Sequence, residues 1–144
     1  MSRQGELERL VQFYETIGAD MLHAQLAQVY ALDARFKDPF NEVRGLEAIA
    51  GIFAHMFEQV NEPRFVVTTR VLEGSQAFLT WEFRFRMKRF SNETQRILGA
   101  THIIFDAEGK VAVHRDYWDA AEELYEKLPV LGSLMRWLKR MANR

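Results

Sequence analysis

Apolar positions recur at helical spacing in the first third of the chain and at strand spacing thereafter. Leu7, Leu10, Val11, Tyr14 and Ile17 fall on one stripe, opposite Glu6, Glu8, Arg9, Gln12 and Glu15, which predicts an amphipathic helix over residues 5–18. Gly18 ends it, and Asp20 can cap a shorter helix running to Tyr30. Leu46, Ile49, Ala50, Phe53, Phe57 and Val60 mark a third helix, stopped by Asn61-Glu62-Pro63. From Arg64 the period becomes two. Residues 64–73, 76–90, 95–106 and 110–118 are rich in β-branched and aromatic side chains, and Gly-, Asn- and Asp-containing turns separate them. Helices first and a strand meander after them predict an α+β fold, with the helices packed on one face of an antiparallel sheet.

One earlier segment is also strand-like. In Tyr30-Ala-Leu-Asp-Ala-Arg-Phe-Lys-Asp-Pro39, Ala34, Phe36 and Asp38 share one parity and Arg35 and Lys37 the other, before Pro39 ends the ladder. Alternation thus aims the Asp38 carboxylate at the apolar face, where a charge is costly unless it is paired or neutralised. The other readings of Asp38 are a turn cap, as Asp-Pro pairs commonly are, or a partner for Arg44. Residues 41–45 read as a loop. In the strand at 76–90, Leu79, Trp81, Phe83, Phe85 and Met87 should face the helices, with Thr80, Glu82, Arg84, Arg86 and Lys88 outward. The strand at 95–106 is apolar on both parities, which suits a central strand or one covered by a dimer mate.

The Tyr30–Pro39 segment resembles the opening of the nuclear transport factor 2-like superfamily, which includes ketosteroid isomerases, SnoaL-type polyketide cyclases, limonene epoxide hydrolases and scytalone dehydratases. The resemblance spans about residues 5–120. It implies a cone-shaped curved antiparallel sheet wrapped around N-terminal helices, enclosing an apolar pocket for a small hydrophobic molecule. It also implies a homodimer through the outer sheet face. Asp38 falls where ketosteroid isomerases carry their general base, and Tyr14 where they keep an oxyanion-stabilising tyrosine. The position of their second oxyanion donor is Thr101, a weaker partner for an enolate, so the resemblance points away from steroid isomerisation.

A second constellation lies in Val113-His-Arg-Asp-Tyr-Trp-Asp119, where His114, Asp116 and Trp118 share a parity against Arg115 and Tyr117. Periodicity does not choose which set faces inward. The superfamily's habit of placing an aromatic at the Trp118 position in the pocket wall does, and brings His114 and Asp116 with it. The implied pocket holds Asp38, Tyr14, His114 and Asp116 as acid–base groups, lined by Phe36, Phe53, Trp81, Thr101 and Trp118. The plainer alternative makes His114 and Asp116 a satisfied polar pair and Tyr14 a core tyrosine. Two functions follow: a cofactor-free acid–base isomerase, cyclase, dehydratase or hydrolase, or a binding or dimerisation module without turnover.

Composition narrows these. At 144 residues, 48% hydrophobic and 27% charged, the chain has the size of one globular domain. Its net charge of −1 favours neither nucleic acid nor a strongly acidic partner, and the Arg/Phe alternation at 83–90 reads as one solvated strand face. The chain has no cysteine, which removes disulfides and thiol chemistry and suits a reducing cytoplasm. Metal-ligand spacings, phosphate loops and dinucleotide fingerprints are absent from the sequence, so no cofactor is expected. No run of about 18 apolar residues suggests a spanning helix. The superfamily-like domain is assigned to residues 1–128. An amphipathic extension follows at 129–144, with Leu131, Leu134, Met135, Leu138 and Met141 on one side and Arg136, Lys139 and Arg140 on the other. It reads as a cap on its own domain, with contact to an anionic membrane as the rarer use of such a helix.

Overall fold

The computed structural model describes residues 3–18, 20, 22–87, 94–119, 122, 140 and 142. The extension assigned to 129–144 lies outside the described residues apart from two isolated positions. Three helices, α1 (Gln4–Thr16), α2 (Leu22–Val29) and α3 (Leu46–Gln59), pack on one six-stranded sheet. Its strands are β1 (Tyr30–Lys37), β2 (Glu42–Arg44), β3 (Val60–Glu73), β4 (Gln76–Met87), β5 (Thr94–Phe105) and β6 (Val111–Tyr117), in the spatial order β2-β1-β6-β5-β4-β3. The sheet is curved and does not close on itself.

The helical stripes meet the inward faces of the strands as their periodicity requires. Leu7, Leu10, Val11 and Tyr14 of α1 and Ile49, Ala50 and Phe53 of α3 are buried in one cluster with Leu79, Trp81, Phe83 and Phe85 of β4. Phe78, on the other parity of β4, is exposed and stacks on His102 at 4.5 Å between ring centroids. His102 also bonds Gln76 at 2.8 Å, so it belongs to the outer face, as its parity requires.

Two features depart from the antiparallel sheet expected above. β1 runs parallel to β6, pairing Phe36 with His114 and Lys37 with Arg115, so the sheet is mixed. The segment expected as a loop at 41–45 contains β2, a three-residue edge strand antiparallel to β1. It is short enough to evade any periodicity argument. A bulge between Tyr30 and Arg35 also interrupts β1's alternation, leaving Leu32 82% exposed while Tyr30, Ala34 and Phe36 all point inward.

The turn after β5 ties the sheet to the helices. Asp106 Oδ1 accepts the backbone N–H groups of Glu108 and Lys110, both at 2.9 Å. Lys110 Nζ then reaches the carbonyl of Gln28 at 2.6 Å, serving the unsatisfied C-terminal end of α2. Gly109 sits at φ +85°, and a Cβ there would lie 2.7 Å from the Glu6 carboxylate on α1. Gly109→Ala should therefore destabilise the chain by about 1–3 kcal/mol, through backbone strain and displacement of Glu6. A lower urea midpoint at unchanged slope would show it.

Candidate active site

The floor of the fold's interior carries one continuous chain of hydrogen bonds between side chains drawn from five elements. β4 supplies Trp81, β5 Thr101, β6 His114 and Asp116, α1 Tyr14 and β1 its first residue, Tyr30. Strand register does the assembly. Thr101 lies directly opposite Asp116 across β5 and β6, and Phe36 lies beside His114 across β1 and β6. The residues at 114 and 116 share the inward face, as the aromatic-wall resemblance implied.

The donors and acceptors can be followed atom by atom. Trp81 Nε1–H, which can only donate, bonds Thr101 Oγ1 at 2.8 Å. Thr101 then spends its own proton on Asp116 Oδ1 at 2.6 Å. The same oxygen lies 2.6 Å from His114 Nε2 and, being a carboxylate oxygen, accepts from it. On the far side of the ring, His114 Nδ1 faces both Tyr14 and Tyr30 hydroxyls at 2.6 Å, and these are 2.7 Å from one another. With the imidazole proton on Nε2, one phenol donates to Nδ1 and the other donates to its neighbour, so every proton has an acceptor. A second proton on Nδ1 would leave one phenol without an acceptor among these groups. Asp116 Oδ2 carries no hydrogen bond among the described residues, and the Asp116 side chain is 16% exposed.

Aromatic rings hold the imidazole in place. Phe36 packs against His114 at 4.6 Å, Tyr30 stacks on it at 5.9 Å and Tyr14 meets it edge-on at 5.7 Å. Burial pushes the ionisation of both tyrosines far above the usual phenol range, and the Asp116 charge adds to it. Both phenols therefore remain neutral donors at any physiological pH.

Tyr14, Phe53, Phe65, Val67, Trp81, Thr101, His114 and Asp116 line a hollow with about 20 Å³ of room for the centre of a water-sized sphere. That is space for about one water and little more. Six of the nine side chains singled out from the sequence meet there: Tyr14, His114, Asp116, Phe53, Trp81 and Thr101. Phe36 stands behind the imidazole instead of lining the hollow. Trp118 packs edge-on against Phe40 at 5.6 Å.

Asp38 does not reach the hollow. Strand β1 stops at Lys37, so the alternation that aimed Asp38 inward ends one residue too soon. Its Oδ1 accepts the backbone N–H groups of Phe40 at 2.8 Å and Asn41 at 2.7 Å, together with Asn41 Nδ2 at 3.1 Å. The Asp-Pro pair thus makes a side-chain-capped turn, the second reading of its sequence. Arg44 pairs with Asp33, at 3.5 Å, and not with Asp38.

Sequence reasoning missed Tyr30, Phe65 and Val67. Tyr30 heads the very motif that carried the resemblance and shares the parity of Ala34 and Phe36, so alternation could have placed it inward. Phe65 and Val67 share a parity on β3 and could have been read from it. Among the described residues no group of three His, Asp or Glu side chains could hold a metal ion.

The α+β cone, open sheet and enclosed polar floor define a protein of the nuclear transport factor 2-like class. Within it, the chain belongs to the SnoaL-like domain family, whose model matches residues 10–114. No curated protein sequence matches the chain. Solved structures share the fold at low identity. A ketosteroid isomerase-like protein from Catenulispora acidiphila, in complex with trimethylamine, superposes with a TM-score of 0.70 at 15% identity, covering 84% of this chain and 90% of that one. An NTF2-like protein of unknown function from Burkholderia pseudomallei gives 0.71 at 15% identity, over 85% and 95%. An LEH-like epoxide hydrolase from M. tuberculosis gives 0.66 at 12% identity, over 95% and 91%.

The raised tyrosine ionisation predicts an alkaline limit to stability. In the unfolded chain both phenols lose their protons near pH 10, while the folded state keeps them. The contribution is whole below about pH 10 and is lost as pH rises beyond it. Thermal melts should fall steeply above about pH 10, and Tyr30→Phe should flatten that fall while lowering stability at pH 7 by about 1 kcal/mol through the lost hydrogen bond to Tyr14.

Proposed function

We propose that this SnoaL-like domain is a cofactor-free acid–base catalyst acting on a small molecule, with Asp116 as the base. Tyr14, which lines the hollow, would be the group that supports developing negative charge, and His114 the one that positions Asp116. The observation that carries this reading is the continuous chain from Trp81 to the two tyrosines, whose donors converge on a carboxylate with one oxygen uncommitted at the wall of the hollow. Oδ1 is held by Thr101 and His114, which fixes the carboxylate's orientation and leaves Oδ2 to take a proton. His114 serves as a positioning residue: its Nε2–H holds Asp116 Oδ1, and the two phenols, which do not ionise, fix Nδ1. Asp38 has no part in this proposal, because its carboxylate is occupied by the turn.

A second reading rests on a different feature of the same hollow. One carboxylate oxygen, with no Lys or Arg ion pair among the described residues, stands among Phe53, Phe65, Trp81 and Tyr14, a setting that favours a small protonated amine. The trimethylamine held by the Catenulispora protein supports it by analogy of fold. In this reading the domain binds and does not turn over.

A homodimer through the outer sheet face is the assembly proposed for either reading. Val71, Phe78, Leu98 and Tyr117 are exposed apolar side chains on strands β3 to β6, on the parity opposite the core. The absence of cysteine suits a reducing cytoplasm as its setting. No helix among the described residues is long and apolar enough to cross a membrane.

The two readings separate in one pair of measurements. Exchange of the methyl protons of acetone in D2O, followed by proton NMR, should be accelerated by the wild-type chain. Asp116→Asn should reduce that acceleration by about 10²–10⁴-fold, while Asp38→Asn retains it. No acceleration, together with saturable binding of methylammonium that Asp116→Asn abolishes, would establish the binding module instead. For the assembly, Phe78→Glu should shift sedimentation from dimer to monomer at micromolar concentration with the fold retained. A wild-type chain that sediments as a monomer removes that proposal.

A further inference from the structure

We infer that Trp81, seated against Gly99, is the residue that sets how large a molecule this site admits; the inference rests on the reading of the hollow as the site. Gly99 lies in the middle of β5, directly opposite Trp81 across the β4–β5 ladder. A glycine inside a strand weakens it and needs a reason. Backbone conformation is not that reason, since the positive-φ glycines are Gly45, Gly74 and Gly109. Space is. A Cβ on residue 99 would lie 2.5 Å from Trp81 Cζ2 and 2.9 Å from Cζ3, closer than real carbons approach, so the ring rests directly on the β5 backbone.

The indole is held from two further directions. Its Nε1–H is committed to Thr101, and its plane meets Phe65 edge-on, with centroids 5.6 Å apart and an interplanar angle of 80°. Gly99 thus provides the seat, Thr101 the latch and Phe65 the side wall. Trp81 is buried. The ring fills the space that the curved sheet would otherwise enclose, and what remains is about 20 Å³ for the centre of a water-sized sphere. Sites for drug-sized ligands run to roughly 300–1,000 Å³. With the indole seated, the hollow holds little beyond a water, so a molecule of a few non-hydrogen atoms is the upper limit and fused-ring substrates are excluded. The substrate class is therefore small carbonyl compounds or amines, and not the bulky hydrophobic molecule that a hollow cone by itself suggests.

The seat and the bulk can be tested apart, using the full chain and binding alone as the readout. Ligand-observed NMR with acetone and 2-naphthol should show the wild type binding acetone and excluding 2-naphthol. Trp81→Ala should gain 2-naphthol at least tenfold, and Trp81→Phe, which keeps most of the bulk without the N–H, should remain closed to it. Wild-type protein that takes 2-naphthol as tightly as Trp81→Ala, or a folded Trp81→Ala that gains nothing, overturns the inference. Should Trp81→Ala fail to fold, Gly99→Ala decides. The Trp81 Nε1–H resonance, assigned by its loss in Trp81→Phe, should shift and lose protection from solvent exchange as the ring leaves its seat, and an unmoved, protected resonance overturns the inference. Failure of acetone exchange in the Asp116→Asn comparison would remove the acid–base reading and leave this size limit standing.

Discussion

His114 Nδ1 is the point on which the interior turns. Three elements that share no sequence neighbourhood, α1, β1 and β6, meet there through two phenols and one imidazole, all buried. Each group is costly to bury alone, at about 1–3 kcal/mol for an unmade hydrogen bond, and each is satisfied only because the other two arrive at the same place. Such an arrangement is intolerant of drift. If α1 slid by one turn, Tyr14 would leave His114 and Tyr30 without their partner. The polar floor therefore pins the helix layer to the sheet more specifically than the surrounding hydrocarbon can, and apolar contacts supply the bulk of the driving force.

The same intolerance orients the carboxylate at the hollow. Because the indole of Trp81 can only donate, hydrogen bonding acquires a direction at that end, and the direction runs through Thr101 to Asp116. A carboxylate with one oxygen twice bonded and the other uncommitted is oriented before any ligand arrives. Tyr30 lies behind the imidazole and Tyr14 beside it at the lining of the hollow, and burial keeps both protonated. The phenols and the carboxylate thus have different surroundings, the phenols deeply buried and Asp116 partly exposed at the edge of the hollow. Family membership contributes less to the functional reading than these atoms do, since one cone serves many chemistries.

Helices, strands and the inward parity of β4 were legible because each rests on a local rule: a stripe of apolar residues at helical spacing, or alternation at spacing two. Leu10, Ile49 and Trp81 could be placed on the buried side from their neighbours alone, whereas β5, apolar on both parities, could not be oriented that way. The SnoaL-like fold was legible too, through the Tyr30–Pro39 segment. Which carboxylate reaches the hollow was not. Alternation aims Asp38 inward, while periodicity leaves the face of Asp116 open, and the sequence alone does not choose between them. The difference is where hydrogen bonding to a neighbouring strand stops. β1 yields to a turn at Asp38, whereas Asp116 still has Thr101 opposite it on β5.

By itself, then, the order of residues determined the elements, their buried faces, the fold class and most of the side chains that line the hollow. Tertiary structure alone decided that β1 would run parallel to β6, that a bulge would turn Leu32 out to solvent, and that Trp81 would rest on Gly99 and nearly fill the hollow. The physical reason is range. Propensity and periodicity act between residues a few positions apart, while strand pairing, the satisfaction of buried protons and the volume left between layers depend on residues up to 100 positions distant, as with Tyr14 and His114.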